Sequence, residues 1–112
     1  MSFFIFQLSG YAFAGRPQKI MVDCMLWVLE SKLQQNPHTF GKVLKSTGNK
    51  MIVEKSKKDD FWGCFQKGDI FDGQNQLGML LVKVRDNYDR IVNARQLTYP
   101  NGFLILPKDM AA

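Results

Sequence analysis

Histidine and cysteine are almost missing from this chain: one histidine, His38, and two cysteines, Cys24 and Cys64, in 112 residues. Two thiols make neither a disulfide framework nor a zinc site, so no metal and no cofactor is expected. Cys24 lies among apolar residues and reads as a reduced core thiol. Cys64 has no basic neighbour that would make it a nucleophile. Long apolar runs are lacking too, which excludes a membrane-spanning helix and leaves no membrane partner to expect. The Phe-rich start ends in Ala12-Phe13-Ala14, but no basic residue precedes its apolar run, and Gln7, Ser9 and Gly10 interrupt it. No signal peptide is expected there. Cytosolic residence follows by default, with the nucleus as the second compartment. Internal repeats and low-complexity tracts are absent.

The length supports one modest core and is too short for two ordinary domains. A formal charge of +5 favours anionic partners. Lys55, Lys57 and Lys58 form the densest basic stretch, and Asp59 and Asp60 offset part of it, so a solvated face competes with an anion-attracting rim. No predicted helix carries an Arg/Lys face interleaved with aromatics, which argues against a basic nucleic-acid-binding domain.

Val22, Met25, Leu26, Leu29 and Leu33 recur at helical spacing and predict an amphipathic helix over 19–35. Asn36 as N-cap and Pro37 as first helical residue predict a second helix over 37–47, with Phe40, Val43 and Leu44 on its buried face and Gly48 ending it in the left-handed conformation. Met51 to Val53 reads as a short strand, and so does the segment containing Phe3, Phe4, Ile5 and Phe6. Residues 54–72 are charged, aromatic and irregular, with Gly63 and Gly68 as breakers. Asp72 is placed to cap a third helix over 73–88, with Leu77, Leu80, Leu81, Val84 and Tyr88 on one face. Tyr99-Pro100-Asn101-Gly102 between two apolar runs predicts a hairpin within 90–107. The fold class is therefore α+β and predominantly α-helical, a single small domain with short strands and a C-terminal hairpin. Phe3, Ile5, Leu104 and Leu106 are expected to pack on the helices.

The chemistry-bearing residues cluster between Asn36 and Arg85. Asp59-Asp60-Phe61-Trp62-Gly63 brings carboxylates, aromatic rings and a glycine into one short span. Cleavage of an N-glycosidic bond builds positive charge on the anomeric carbon and asks for a carboxylate to stabilise it or to activate water. Aromatic rings can stack on the leaving base. Glycines let the backbone approach phosphates, which N–H groups at a helix N-terminus also bind. The purely structural alternative is that Asp59 caps a turn and Trp62 anchors the core.

The ordered series Asn36-Pro37, Leu44-Lys45-Ser46-Thr47-Gly48, Ile52-Val53-Glu54-Lys55-Ser56, Asp59 to Gly63, Gly73-Gln74-Asn75-Gln76-Leu77-Gly78 and Val84-Arg85 resembles the C-terminal portion of the NADAR or YbiA-like family. Its members are associated with cleaving N-glycosidic bonds in ribosyl-phosphate or ADP-ribose compounds. The resemblance implies a partial domain over 15–88, flanked by apolar segments 1–14 and 89–112. It implies Asp59 and Glu54 as catalytic carboxylates. It further implies Trp62, Gly63, Gly73, Asn75 and Arg16 as substrate-binding residues. The expected ligand is a small phosphorylated ribosyl or ADP-ribosyl compound, such as a riboflavin-pathway intermediate or an ADP-ribosyl adduct, with nucleic acid only as a modified substrate. The family's upstream Ser-Glu-His-like helix start has no counterpart in residues 1–20, which hold no acid at all. Gly63-Cys64-Phe65 lacks the family's second glycine, and Phe71 stands in place of a common Trp. Two readings follow: an N-glycosidase-like hydrolase, or a truncated, catalytically inactive relative that binds nucleotides, ADP-ribose or another protein.

Overall fold

The computed structural model describes residues 18–95 and 97, together with the backbone of residues 3–6. Four strands and four helices occur among them. They are β1 (Phe3–Phe6), α1 (Gln18–Gln35), α2 (Phe40–Ser46), β2 (Met51–Glu54), β3 (Phe65–Lys67), β4 (Ile70–Asp72), α3 (Gln76–Asp86) and α4 (Tyr88–Asn93). The fold is mixed and mainly helical, and no described helix is long and apolar enough to cross a membrane.

The core grows from the helical spacing in α1. Met25, Leu29 and Leu33 form one buried stripe that meets Leu77, Leu80, Leu81 and Val84 of α3 and Ile91 of α4. Phe40 and Leu44 bring α2 onto the same cluster, and Ile52 brings β2. β1 and β2 pair in parallel, with Ile5 opposite Val53 and Phe6 opposite Glu54. The side chains of β1 and all of residues 98–112 lie outside the described residues. The expected packing of Phe3, Ile5, Leu104 and Leu106 lies outside them too.

Several boundaries differ from the sequence expectation. α2 begins at Phe40, because Asn36 serves α1 instead: its Nδ2 donates to the Lys32 carbonyl at 3.0 Å. Gly48 does adopt a positive φ of 59° just past α2. The expected helix over 73–88 starts only at Gln76, and Asp72 belongs to β4. Asn87 then ends α3, its Nδ2 donating to the Lys83 carbonyl at 2.8 Å, and α4 follows at once. Residues 90–93, expected to open a hairpin, are helical because Ile91 is needed in the core. The segment 54–72, expected to be irregular, holds an antiparallel hairpin of β3 and β4, closed by an exposed Lys67–Asp72 ion pair at 3.3 Å. Its strands are mostly solvent-exposed, so they carry no apolar alternation to read.

Candidate functional site

Three separate sequence segments, 52–56, 59–64 and 73–78, converge at the end of β2. The middle one is held by two polar side chains, Ser56 just ahead of it and Asp59 at its start. Ser56 Oγ accepts the N–H groups of Lys58 and Asp59 at 3.2 and 3.0 Å. Asp59 Oδ1 accepts those of Phe61 and Trp62 at 2.8 and 2.9 Å. These are local Asx- and Ser-type turns, and they freeze the conformation of the acidic-aromatic loop. Asp59 is half-buried.

That loop is docked on the start of α3. The carbonyls of Asp60, Phe61, Trp62 and Gly63 accept the N–H groups of Gln74, Gln76, Leu77 and Asn75 at 2.7, 3.0, 2.9 and 3.3 Å. A helix N-terminus normally leaves such groups unsatisfied and ready for an anion. Here backbone carbonyls fill them, so the phosphate-binding role expected of this helix start is not how these N–H groups are used. Gly73 makes the docking close: its φ is 149°, and a Cβ there would lie 2.6 Å from the Gly63 carbonyl oxygen and 2.9 Å from Cys64 Cα.

The third junction is at β2. Asn75 sits in the left-handed region at φ 53°, ψ 39°. Its Nδ2 donates to the Ile52 carbonyl at 2.8 Å, and its Oδ1 accepts the Glu54 N–H at 2.9 Å. The Glu54 carbonyl in turn accepts the Cys64 N–H at 2.7 Å, and the Ser56 N–H donates to the Cys64 carbonyl at 2.9 Å. Glu54 is only 5% exposed, the one buried carboxylate residue among the described residues. Gly63 lies against it: a Cβ at Gly63 would sit 2.6 Å from the Glu54 carbonyl oxygen and 3.1 Å from Glu54 Cγ.

The structure therefore brings together six of the seven sequence-derived site residues, Glu54, Asp59, Trp62, Gly63, Gly73 and Asn75, while Arg16 lies outside the described residues. Trp62 is half-buried against the core, its indole edge-on to Phe61 with centroids 4.9 Å apart and planes at 84°. Burial pushes the Cys64 thiol above its ordinary pKa, and the nearby Asp72 carboxylate adds to this. A thiol so placed stays protonated and inert at neutral pH. Arg85 is absorbed structurally: its Nη1 donates to Thr47 Oγ1 at 2.9 Å and to the Lys50 carbonyl at 2.6 Å. Ser56 is a contributor to the site that the sequence did not single out. For Ser56 the readable signal was its spacing, since a Ser two or three residues ahead of a turn can cap it.

The NADAR domain pattern matches residues 14–88. The chain is 32% identical over 71 residues to the riboflavin biosynthesis protein PYRR, chloroplastic, of Arabidopsis thaliana, covering 63% of this chain and 11% of that protein. It is 38% identical over 52 residues to an N-glycosidase of Nostoc punctiforme, covering 46% of this chain and 31% of that protein. The chain thus spans less than a third of the length of either relative. No solved structure matches it.

Proposed function

The chain belongs to the NADAR domain family, and from that premise we propose that it hydrolyses the N-glycosidic bond of a phosphorylated ribosyl or ADP-ribosyl compound. A riboflavin-pathway intermediate or an ADP-ribosyl adduct is the substrate class, and the cytoplasm is the compartment proposed. The observation that carries this reading is the buried Glu54 carboxylate residue at the point where the Trp62 loop, the Gly73 turn and α3 meet.

In that arrangement water adds to the anomeric carbon as the bond to the base breaks, and the departing base takes up a proton. Glu54 and Asp59 are the carboxylates proposed to offset the charge developing on the sugar and to accept the proton of the attacking water. Trp62 supplies the ring face for the base, a contact worth about 1–3 kcal/mol in nucleic-acid systems. Lys57 and Lys58 are exposed beside the loop and attract the phosphate.

A second reading is a nucleotide- or ADP-ribose-binding or protein-interaction module without turnover. The capping role of Asp59 Oδ1, which already accepts two backbone N–H groups, favours it. Chromatographic assay of base release from a ribosyl-phosphate N-glycoside separates the two. Turnover that disappears in Glu54→Gln supports the hydrolase, whereas retained ligand binding with no release by the wild-type chain selects the binding module.

A further inference from the structure

The Asn75 carboxamide occupies a place that a strand would otherwise fill. In a parallel ladder, one residue donates to the carbonyl before its partner and accepts from the N–H after it. The Asn75 side chain does both around Val53, donating to Ile52 O and accepting from Glu54 N. Cys64 does the same around Lys55 with its main chain, donating to Glu54 O and accepting from Ser56 N. β1 pairs along the opposite edge. The second edge of β2 is thus completed by one side chain and one backbone residue in succession.

The consequence falls on Glu54, whose N–H and C=O both face this composite edge and are both taken. Gly63, which has no Cβ, presses against its carbonyl and Cγ. Asn75 meets its side of the arrangement only by adopting the left-handed region, the one positive φ outside glycine among the described residues. Asn tolerates that region better than most residues. Gly78, one turn into α3, leaves room for the carboxamide: a Cβ there would be 2.5 Å from both Asn75 Oδ1 and Nδ2.

We infer that Asn75 is a positioning residue for Glu54 rather than a substrate ligand: its carboxamide fixes the Glu54 main chain and so sets the direction in which that carboxylate leaves the strand. The inference rests on the hydrolase reading for its catalytic consequence, while its structural half stands by itself.

The test uses the full 15N-labelled chain as wild type, Asn75→Gly and Asn75→Asp. Glycine accepts the left-handed backbone, so Asn75→Gly removes the carboxamide without adding strain. Amide exchange at Glu54 is compared with exchange at Val84 in the core of α3, binding of ribose 5-phosphate is measured by calorimetry, and base release is followed. In Asn75→Gly the Glu54 amide should lose about tenfold or more protection relative to Val84. kcat should fall about tenfold or more while KM and ribose 5-phosphate affinity change less than about twofold. Asn75→Asp keeps the acceptor for the Glu54 N–H but sets a second oxygen against the Ile52 carbonyl in place of the donor, so Glu54 protection should fall less than in Asn75→Gly. An unchanged Glu54 amide together with a roughly tenfold loss of ribose 5-phosphate affinity in Asn75→Gly would overturn the inference and make Asn75 a ligand. Should Asn75→Gly fail to fold, Asn75→Asp decides: an unchanged Glu54 amide together with a roughly tenfold loss of ribose 5-phosphate affinity there sinks the idea. A wild-type chain that releases no base defeats the proposed function alone; exchange and affinity still decide the role of Asn75.

Discussion

Gly78 lies directly under the Ile52 carbonyl, so close that a Cβ at this position would run into the carbonyl oxygen. The contact explains a glycine in the middle of a helix interface, where it costs about 1 kcal/mol relative to alanine. Removing the side chain lets α3 approach β2 near enough for Asn75 to reach the strand.

The first expectation follows from that contact. Gly78→Ala gains about 1 kcal/mol in helix propensity, but the obstacle is backbone on β2 and cannot rotate away. Overpacking of this kind costs typically about 1–3 kcal/mol, occasionally more. The net result should be destabilisation and a lower Tm, read by thermal unfolding monitored by circular dichroism. A variant as stable as wild type or more so would show that α3 and β2 are not in such close contact.

Asp59 has two separable jobs. Its Oδ1 caps the loop by accepting from Phe61 and Trp62, and asparagine performs that job about as well as aspartate. Asp59→Asn should therefore keep its denaturation midpoint, while Asp59→Ala should lose about 0.5–2 kcal/mol. If the carboxylate also serves catalysis, base release falls in both variants. Full turnover in a stable Asp59→Asn would restrict this residue to the cap.

Arg85 holds the turn after α2 through Thr47 Oγ1 and the Lys50 carbonyl. Hydrogen bonds from a charged donor are worth about 1.5–3 kcal/mol each. Arg85→Met should lower stability by an amount of that order and leave ribose 5-phosphate affinity unchanged, since the guanidinium is spent on the fold. Weakened ligand binding in a variant of unchanged stability would contradict this assignment.

The Cys64 thiol, raised above its ordinary value of 9.0 by burial and then by Asp72, links stability to alkaline pH. Its folded pKa exceeds its unfolded one, so the unfolded chain loses this proton first. The thiol's contribution is complete below the unfolded value and declines as pH rises toward the folded one. Urea midpoints measured at pH 8 and pH 10 should drop more for the wild type than for Cys64→Ala. Equal drops would mean that Cys64 ionises alike in both states.

Periodicity made α1 and the buried face of α3 legible, because apolar side chains at helical spacing have few other ways to leave water. Gly48 was legible for a similar reason: a left-handed residue just past a helix is a local requirement with a local solution. The β3–β4 hairpin was not, since exposed strands such as Gln66-Lys67 carry no core-facing alternation. The start of α3 was misplaced because its N-terminus is capped by carbonyls of residues 60–63, partners more than ten positions away. No cap within the segment itself announced the boundary.

The sequence by itself determined the helical stripes, the family and the identity of the residues that could carry the chemistry, all properties of side-chain type and short-range order. Tertiary structure decided what those residues do. It spent Asn75 on the edge of β2, Arg85 on the Thr47–Lys50 turn and the first N–H groups of α3 on the Trp62 loop, and it buried Glu54 where that loop and α3 meet the end of β2. The reason is that a polar group removed from water must find a partner, and which partner lies within hydrogen-bond reach depends on how the whole chain is packed.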